Sequence, residues 1–130
     1  MRRQTDARRV GVDAHVLDGK FQGSRSCVEN VLRVIGRQDA RNTYVIYSFD
    51  PSHTHALFPF ANFEHRSIAL HAAIPRLLAF WPWAARRDRL DVLLTQYIAP
   101  PFGAARQFVL IHDILFESFP RMFPPILRWR

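Results

Sequence analysis

The feature that most constrains this chain is a series of short, continuous apolar runs set apart by helix-length segments. Val10-Gly11-Val12, Val92-Leu93-Leu94 and Phe108-Val109-Leu110-Ile111 carry no alternation, and Thr43–Phe49 is rich in β-branched and aromatic residues. A strand that is apolar on both sides is covered on both sides. That pattern belongs to a parallel sheet with helices on each face.

The intervening segments agree. Val28, Val31, Leu32 and Ile35 fall on one helical face, with Glu29, Asn30 and Arg33 turned outward. Ser24 or Ser26 is expected to cap this helix, and Gly36 with the polar run Arg37–Asn42 to end it. Two glycines between Leu17 and Ser26 predict a loop between the first strand, Arg9–Ala14, and the helix. Asp50-Pro51-Ser52 closes the second strand. Phe63–Ile68 alternates and predicts a third strand near an edge. Ile74–Leu90 reads as helical, kinked or split at Pro82. Asp91–Thr95 and Gln107–Asp113 read as buried strands, and the strands near 10–13 and 108–112 are expected to be central. The fold class that follows is α/β: a Rossmann-like, open, mostly parallel sheet with helices on both faces. Residues 1–8 are expected to form a flexible basic N-terminus and 9–130 one domain, a length typical of single domains.

Other classes drop out on composition. Hydrophobic residues make up 48% and charged residues 22%, which suits a packed core and not a disordered chain. No apolar run approaches the roughly 18 residues of a membrane-spanning helix, and Pro82 interrupts Leu77–Ala85. No apolar stretch of signal-peptide length follows Met1-Arg2-Arg3. Cys27 is the single cysteine, so it has no intrachain disulfide partner, and a reducing cytoplasm is the default compartment. The spacing of His53, His55, His65 and His71 matches no metal-ligand pattern, and no metal is expected. The excess of 18 basic over 11 acidic residues, net +7, admits phosphate-bearing partners or an anionic membrane surface. A basic α/β module for nucleic acid therefore stands as an alternative. The bases are spread along the chain and no nucleic-acid motif appears, so no specific nucleic-acid partner is expected. A truncated remnant without activity is a further alternative.

Open parallel sheets bind ligands at the carboxyl ends of their strands. Asp13 and the pair His112-Asp113 end two strands and so fall on that edge. Taken alone, His112 reads as a strand-end or loop histidine, Asp13 as a structural strand-end residue and Asp113 as an acceptor for backbone N–H groups in the turn. Gly23, Ser24 and Arg25 open a helix and read either as an ordinary glycine turn or as a cradle for an anion. Arg76–Arg87 mixes aromatics with arginines. It reads as a sheet-covering helix with tryptophan in the core, or as a membrane-interface segment.

Several short motifs then occur in one order. They are Gly11-Val12-Asp13-Ala14, Gly19 and Gly23, Glu29-Asn30-Val31-Leu32, Arg89-Leu90-Asp91-Val92, Pro100-Pro101, and Val109-Leu110-Ile111-His112-Asp113, with Phe119-Pro120 and Phe123-Pro124-Pro125 behind them. Over residues 9–130 the chain resembles the N-terminal half of family 4 glycosyltransferases, which have the GT-B fold of two facing Rossmann-like domains. The loop departs from the family's Gly-Ile-Gly-Arg-Tyr: Gly23 keeps the first glycine and Arg25 stands at the second. The resemblance implies the acceptor-side domain of a retaining, sugar-nucleotide-dependent glycosyltransferase (a hexosyltransferase). It implies no cofactor beyond the nucleotide-sugar donor and no metal. His112 would contact the transferred sugar, Gly23, Ser24 and Arg25 would form the donor-phosphate loop, and Asp13 and Asp113 would support the cleft edge. The family's nucleotide-binding C-terminal domain has no counterpart among these residues. The chain alone is therefore expected to be inactive, with a glycan or lipid-linked acceptor and the donor meeting only when that domain is present. The expected location is cytoplasmic, with peripheral contact at the inner face of the membrane left open.

Overall fold

The computed structural model describes residues 6–19 and 23–111. Five strands form one parallel sheet: β1 (Arg9–Asp13), β2 (Thr43–Ser48), β3 (Phe63–Ser67), β4 (Val92–Gln96) and β5 (Arg106–Leu110). Their order across the sheet is β3-β2-β1-β4-β5. The chain steps outward from β1 to β3 on one side, then crosses to β4 on the other side of β1. This is the open Rossmann-like α/β arrangement that the apolar runs predict.

Helices cover both faces. On one face α1 (Gly23–Gln38) and the end of α2 (Pro51–Leu57) pack Val28, Leu32 and Phe58 against Val12, Tyr44, Ile46 and Phe63. On the other, the crossover runs through α3 (Ala73–Pro75), a π-helical turn (Arg76–Phe80) and α4 (Trp81–Arg87), placing Phe80, Trp81, Ala84 and Ala85 on Val45, Tyr47 and Leu93. Pro82 explains the π turn. Proline offers no N–H to the carbonyl four residues back, and its ring crowds that carbonyl. The helix widens by one residue ahead of it, and the Trp81 N–H donates to Arg76 O, five residues back.

The structure corrects several expectations. The strand at 108–112 is not central: among the described residues β5 is the outer strand beside β4, and Phe108 and Ile111 are 58% and 57% exposed. A continuous apolar run is equally compatible with either place, because periodicity does not report neighbours. Helix α1 begins at Gly23, so Ser24 and Ser26 lie inside its first turn and do not cap it. The helix also passes through Gly36, where a side chain would collide with the Phe60 ring. It ends at Gln38, within the polar run Arg37–Asn42 as expected, and the next residue, Asp39, has a carboxylate that accepts from Arg41 N–H, Asn42 N–H, Asn42 Nδ2 and the Tyr44 hydroxyl. Those bonds, led by the one from Tyr44, hold the Asp39 carboxyl far below its ordinary range. Burial and the same bond push Tyr44 up to about 12. Finally, Asp50-Pro51-Ser52 opens a helix as well as closing a strand: the Asp50 carboxylate accepts from His53 N–H at 3.1 Å and Pro51 occupies the first turn.

Candidate functional site

β1 and β4 are neighbours in the sheet, yet the chain leaves them toward opposite edges. The reversal opens a crevice beyond their carboxyl ends. A cleft of about 540 Å³ lies there. Its walls include Asp13 at the end of β1, His15, Ser24 in the first turn of α1, Arg76 on the π turn, and Gln96 and Tyr97 at the end of β4.

Asp13 is the innermost polar group, buried at the strand end. Its Oδ1 accepts from the His15 backbone N–H at 3.2 Å and lies 2.6 Å from His15 Nδ1. The 3₁₀ turn His15–Asp18 brings the ring back over the strand end. The backbone carbonyl of Asp13 accepts from Gln96 Nε2 at 2.9 Å, tying β1 to β4 across the crevice. His15 meets Phe49 edge-on, 6.1 Å between centroids. Phe49 in turn stacks on His71 at 4.4 Å and lies under the Arg76 guanidinium at 5.6 Å. Arg76 is anchored by a bond to His71 O. The backbone N–H of Phe49 donates to Asp18 Oδ2 at 2.6 Å, which fixes the carboxyl end of β2 beside the cleft.

The β4 side carries backbone strain. Tyr97 has φ of 61°, in the left-handed region, and heads a three-residue turn closed by Ile98 N–H to Gln96 O at 2.7 Å. Thr95 Oγ1 donates to Ile98 O and pins the same turn. A non-glycine residue held there costs on the order of 1–3 kcal/mol, and such residues concentrate at ligand sites.

The sequence-predicted residues divide as follows. Asp13 and Ser24 line the cleft; Gly23 and Arg25 are not among the described residues that do. Arg25 donates from its Nη1 to Gly19 O at 3.2 Å. Nothing among the described atoms comes within 4 Å of where a Gly23 side chain would begin. His112 and Asp113 lie outside the described residues. Sequence reasoning assigned no role to His15 or Gln96, and read Arg76 only as the first residue of the Arg76–Arg87 segment. The one available signal was the spacing Asp13-x-His15 at a strand end, which acquires meaning only when a turn folds it back.

Along the crossover, Trp81 is in the core while Trp83 is 51% exposed with the Arg87 guanidinium 4.2 Å above its ring. Ile74 and Leu78 are exposed as well. The sheet-covering reading of Arg76–Arg87 holds for Trp81, which packs in the core, while Trp83 stays outside it. No helix among the described residues is long and apolar enough to cross a membrane. Compared with known proteins, the chain matches no family model, no curated protein and no solved structure.

Proposed function

We propose that this chain is the acceptor-side domain of a retaining, sugar-nucleotide-dependent glycosyltransferase resembling family 4. The observation that carries the reading is the cleft beyond β1 and β4, with Asp13 and Ser24 on its wall. It lies where open α/β sheets receive ligands, and where the sequence resemblance puts the acceptor side of a two-domain cleft. In this reading the acceptor, a glycan or lipid-linked sugar, occupies the cleft. The nucleotide sugar is held chiefly by a second domain, with the first turn of α1 facing its diphosphate. Catalysis then rests on orienting the acceptor hydroxyl and stabilising the charge that develops on the departing diphosphate. His112, at the end of the last predicted strand, is the proposed sugar-contacting residue. The exposed Ile74, Leu78 and Trp83, with the Arg87 guanidinium over the Trp83 ring, support a peripheral contact with an anionic membrane surface on the cytoplasmic side.

The test compares the 130-residue chain with the gene's complete product. Sugar transfer from a panel of nucleoside diphosphate sugars should be absent with the isolated chain and present with the complete product. It should fall about 10²-fold or more in His112→Ala. A complete product that neither binds nor consumes any nucleoside diphosphate sugar overturns the reading.

A further inference from the structure

We propose that the Asp13–His15 pair makes the cleft a binding site for an uncharged, hydroxyl-bearing ligand, with His15 Nε2 as the acceptor for a ligand hydroxyl. This rests on reading the cleft as a ligand site and names the chemistry of its occupant.

The argument begins with the buried carboxylate. An ionised carboxylate only accepts hydrogen bonds. Asp13 Oδ1 already accepts from the His15 backbone N–H, and it lies 2.6 Å from Nδ1 of the same residue. That distance assigns the imidazole proton to Nδ1. With a single proton on the ring, at Nδ1, Nε2 presents a lone pair. Among the described residues no group hydrogen-bonds Nε2, and the ring lines the cleft.

The ring is also held in place. Phe49 abuts it edge-on, and Phe49 is itself fixed between His71 and Arg76. Asp13 cannot swing away without leaving buried surroundings and losing both of its donors. Asp13 is thus a positioning residue, and His15 is the group that meets the ligand.

An oriented acceptor selects donors. A sugar or polyol hydroxyl satisfies it. Inorganic phosphate, as an anion, would face the Nε2 lone pair with the Asp13 carboxylate behind it. On the rest of the wall, Val16, Leu77 and Ile98 offer apolar surface to a ring face and Ser24 a hydroxyl at its margin, while the Arg76 guanidinium is engaged by His71 O and the Phe49 ring.

The test uses the 130-residue chain labelled with ¹⁵N-histidine, observed by NMR at about pH 8, above the ordinary range of imidazole titration. The expected His15 signature is a protonated Nδ1 and an unprotonated Nε2. Asp13→Ala should lose that preference and show the Nε2–H form, with the backbone spectrum reporting that the fold persists. Titration with methyl α-glucoside and methyl α-mannoside should give a saturable shift at Nε2. His15→Phe should weaken binding by at least about tenfold, the loss of one hydrogen bond in a partly buried site. Inorganic phosphate should give no saturable shift. An Nε2–H tautomer in the parent chain, saturation by phosphate in place of the glycosides, or no saturation by either glycoside overturns the proposal. If the complete product transfers sugar while the glycosides leave His15 unmoved, only the His15 assignment fails. If the glycosides bind as expected and no nucleotide sugar is used, only the transferase reading fails.

Discussion

The Tyr47 ring crosses above Gly11 to donate its hydroxyl proton to Asp88 Oδ2, 41 residues further along the chain. The crossing needs a strand residue without a side chain. A Cβ at position 11 would overlap Leu90 Cδ1 and come within 3.2 Å of Tyr47 Cε2. Gly11→Ala should therefore lower stability by about 1–3 kcal/mol through overpacking. Equilibrium urea unfolding measures this. In a cycle with Leu90→Ala, the two substitutions should be coupled and not additive, because the second removes the atom the first strikes.

Tyr47→Phe isolates the other half of the relationship. Burial and the bond to Asp88 hold the Tyr47 hydroxyl far above the ordinary range, so it stays a neutral donor throughout the working pH range. Removing it should cost about 1–3 kcal/mol, since a buried carboxylate loses a partner. The variant should remain folded because Arg87 still donates to both Asp88 oxygens.

Acid should weaken the fold in two stages. Burial holds His65 below its ordinary 6.5, while its Nε2 meets Phe58 O and its Nδ1 meets Thr54 Oγ1. A depressed histidine contributes fully above the unfolded value. Its contribution is lost as pH falls below about 6.5 toward the folded value, because the unfolded chain takes the proton first. Asp88 follows at lower pH: burial pushes it up, but bonds from Arg87 and Tyr47 and the nearby Arg66 charge outweigh that and hold it below 3.8. Glu64, bonded to Arg9, behaves alike below 4.5. The carboxylate contributions are present above those ordinary values and disappear beneath them. Denaturation of the parent at about pH 7 and about pH 5.5 should show a loss that His65→Gln largely abolishes, while both proteins lose stability alike nearer pH 4.

Ile74→Ser combined with Leu78→Ser should change stability by no more than about 1 kcal/mol, since both side chains are largely in solvent. The same pair should reduce sedimentation with vesicles containing anionic lipid. Unchanged vesicle binding would remove the membrane contact from the proposed function.

How much of this was legible beforehand varies residue by residue. Apolar, β-branched runs identify β1, β2, β4 and β5, and the alternation of Phe63–Ile68 identifies β3 and its place at an edge of the sheet among the described residues, because a half-covered strand leaves a period of two in its sequence. Asp13 reaches the ligand edge as expected because it ends a parallel strand. The place of β5 was not legible, since Phe108–Leu110 is as apolar as a central strand while Phe108 stands in solvent. Helix α2 was legible in principle from the Asp50 cap and Pro51, but seven residues give little periodicity to detect. Gly36 looked like a stop signal. It is a clearance for Phe60, a ring 24 positions away that no local pattern announces. His15 carried no signal of its own because its meaning comes from the turn that returns it to Asp13.

The π turn at Arg76–Phe80 has a geometric consequence for the cleft. An α-helix advances ~100° per residue, so one inserted residue resets the angular phase of everything on its far side. Ala84 and Ala85 lie in the core beyond that reset, Ala73, Ile74 and Arg76 line the cleft before it, and Trp81 does both. Pro82 and the extra residue ahead of it thus sit between the cleft-lining and core-packing stretches of the crossover. Deleting one residue from 76–80 is expected to shift the cleft-lining residues by ~100° about the helix axis relative to Ala84 and Ala85.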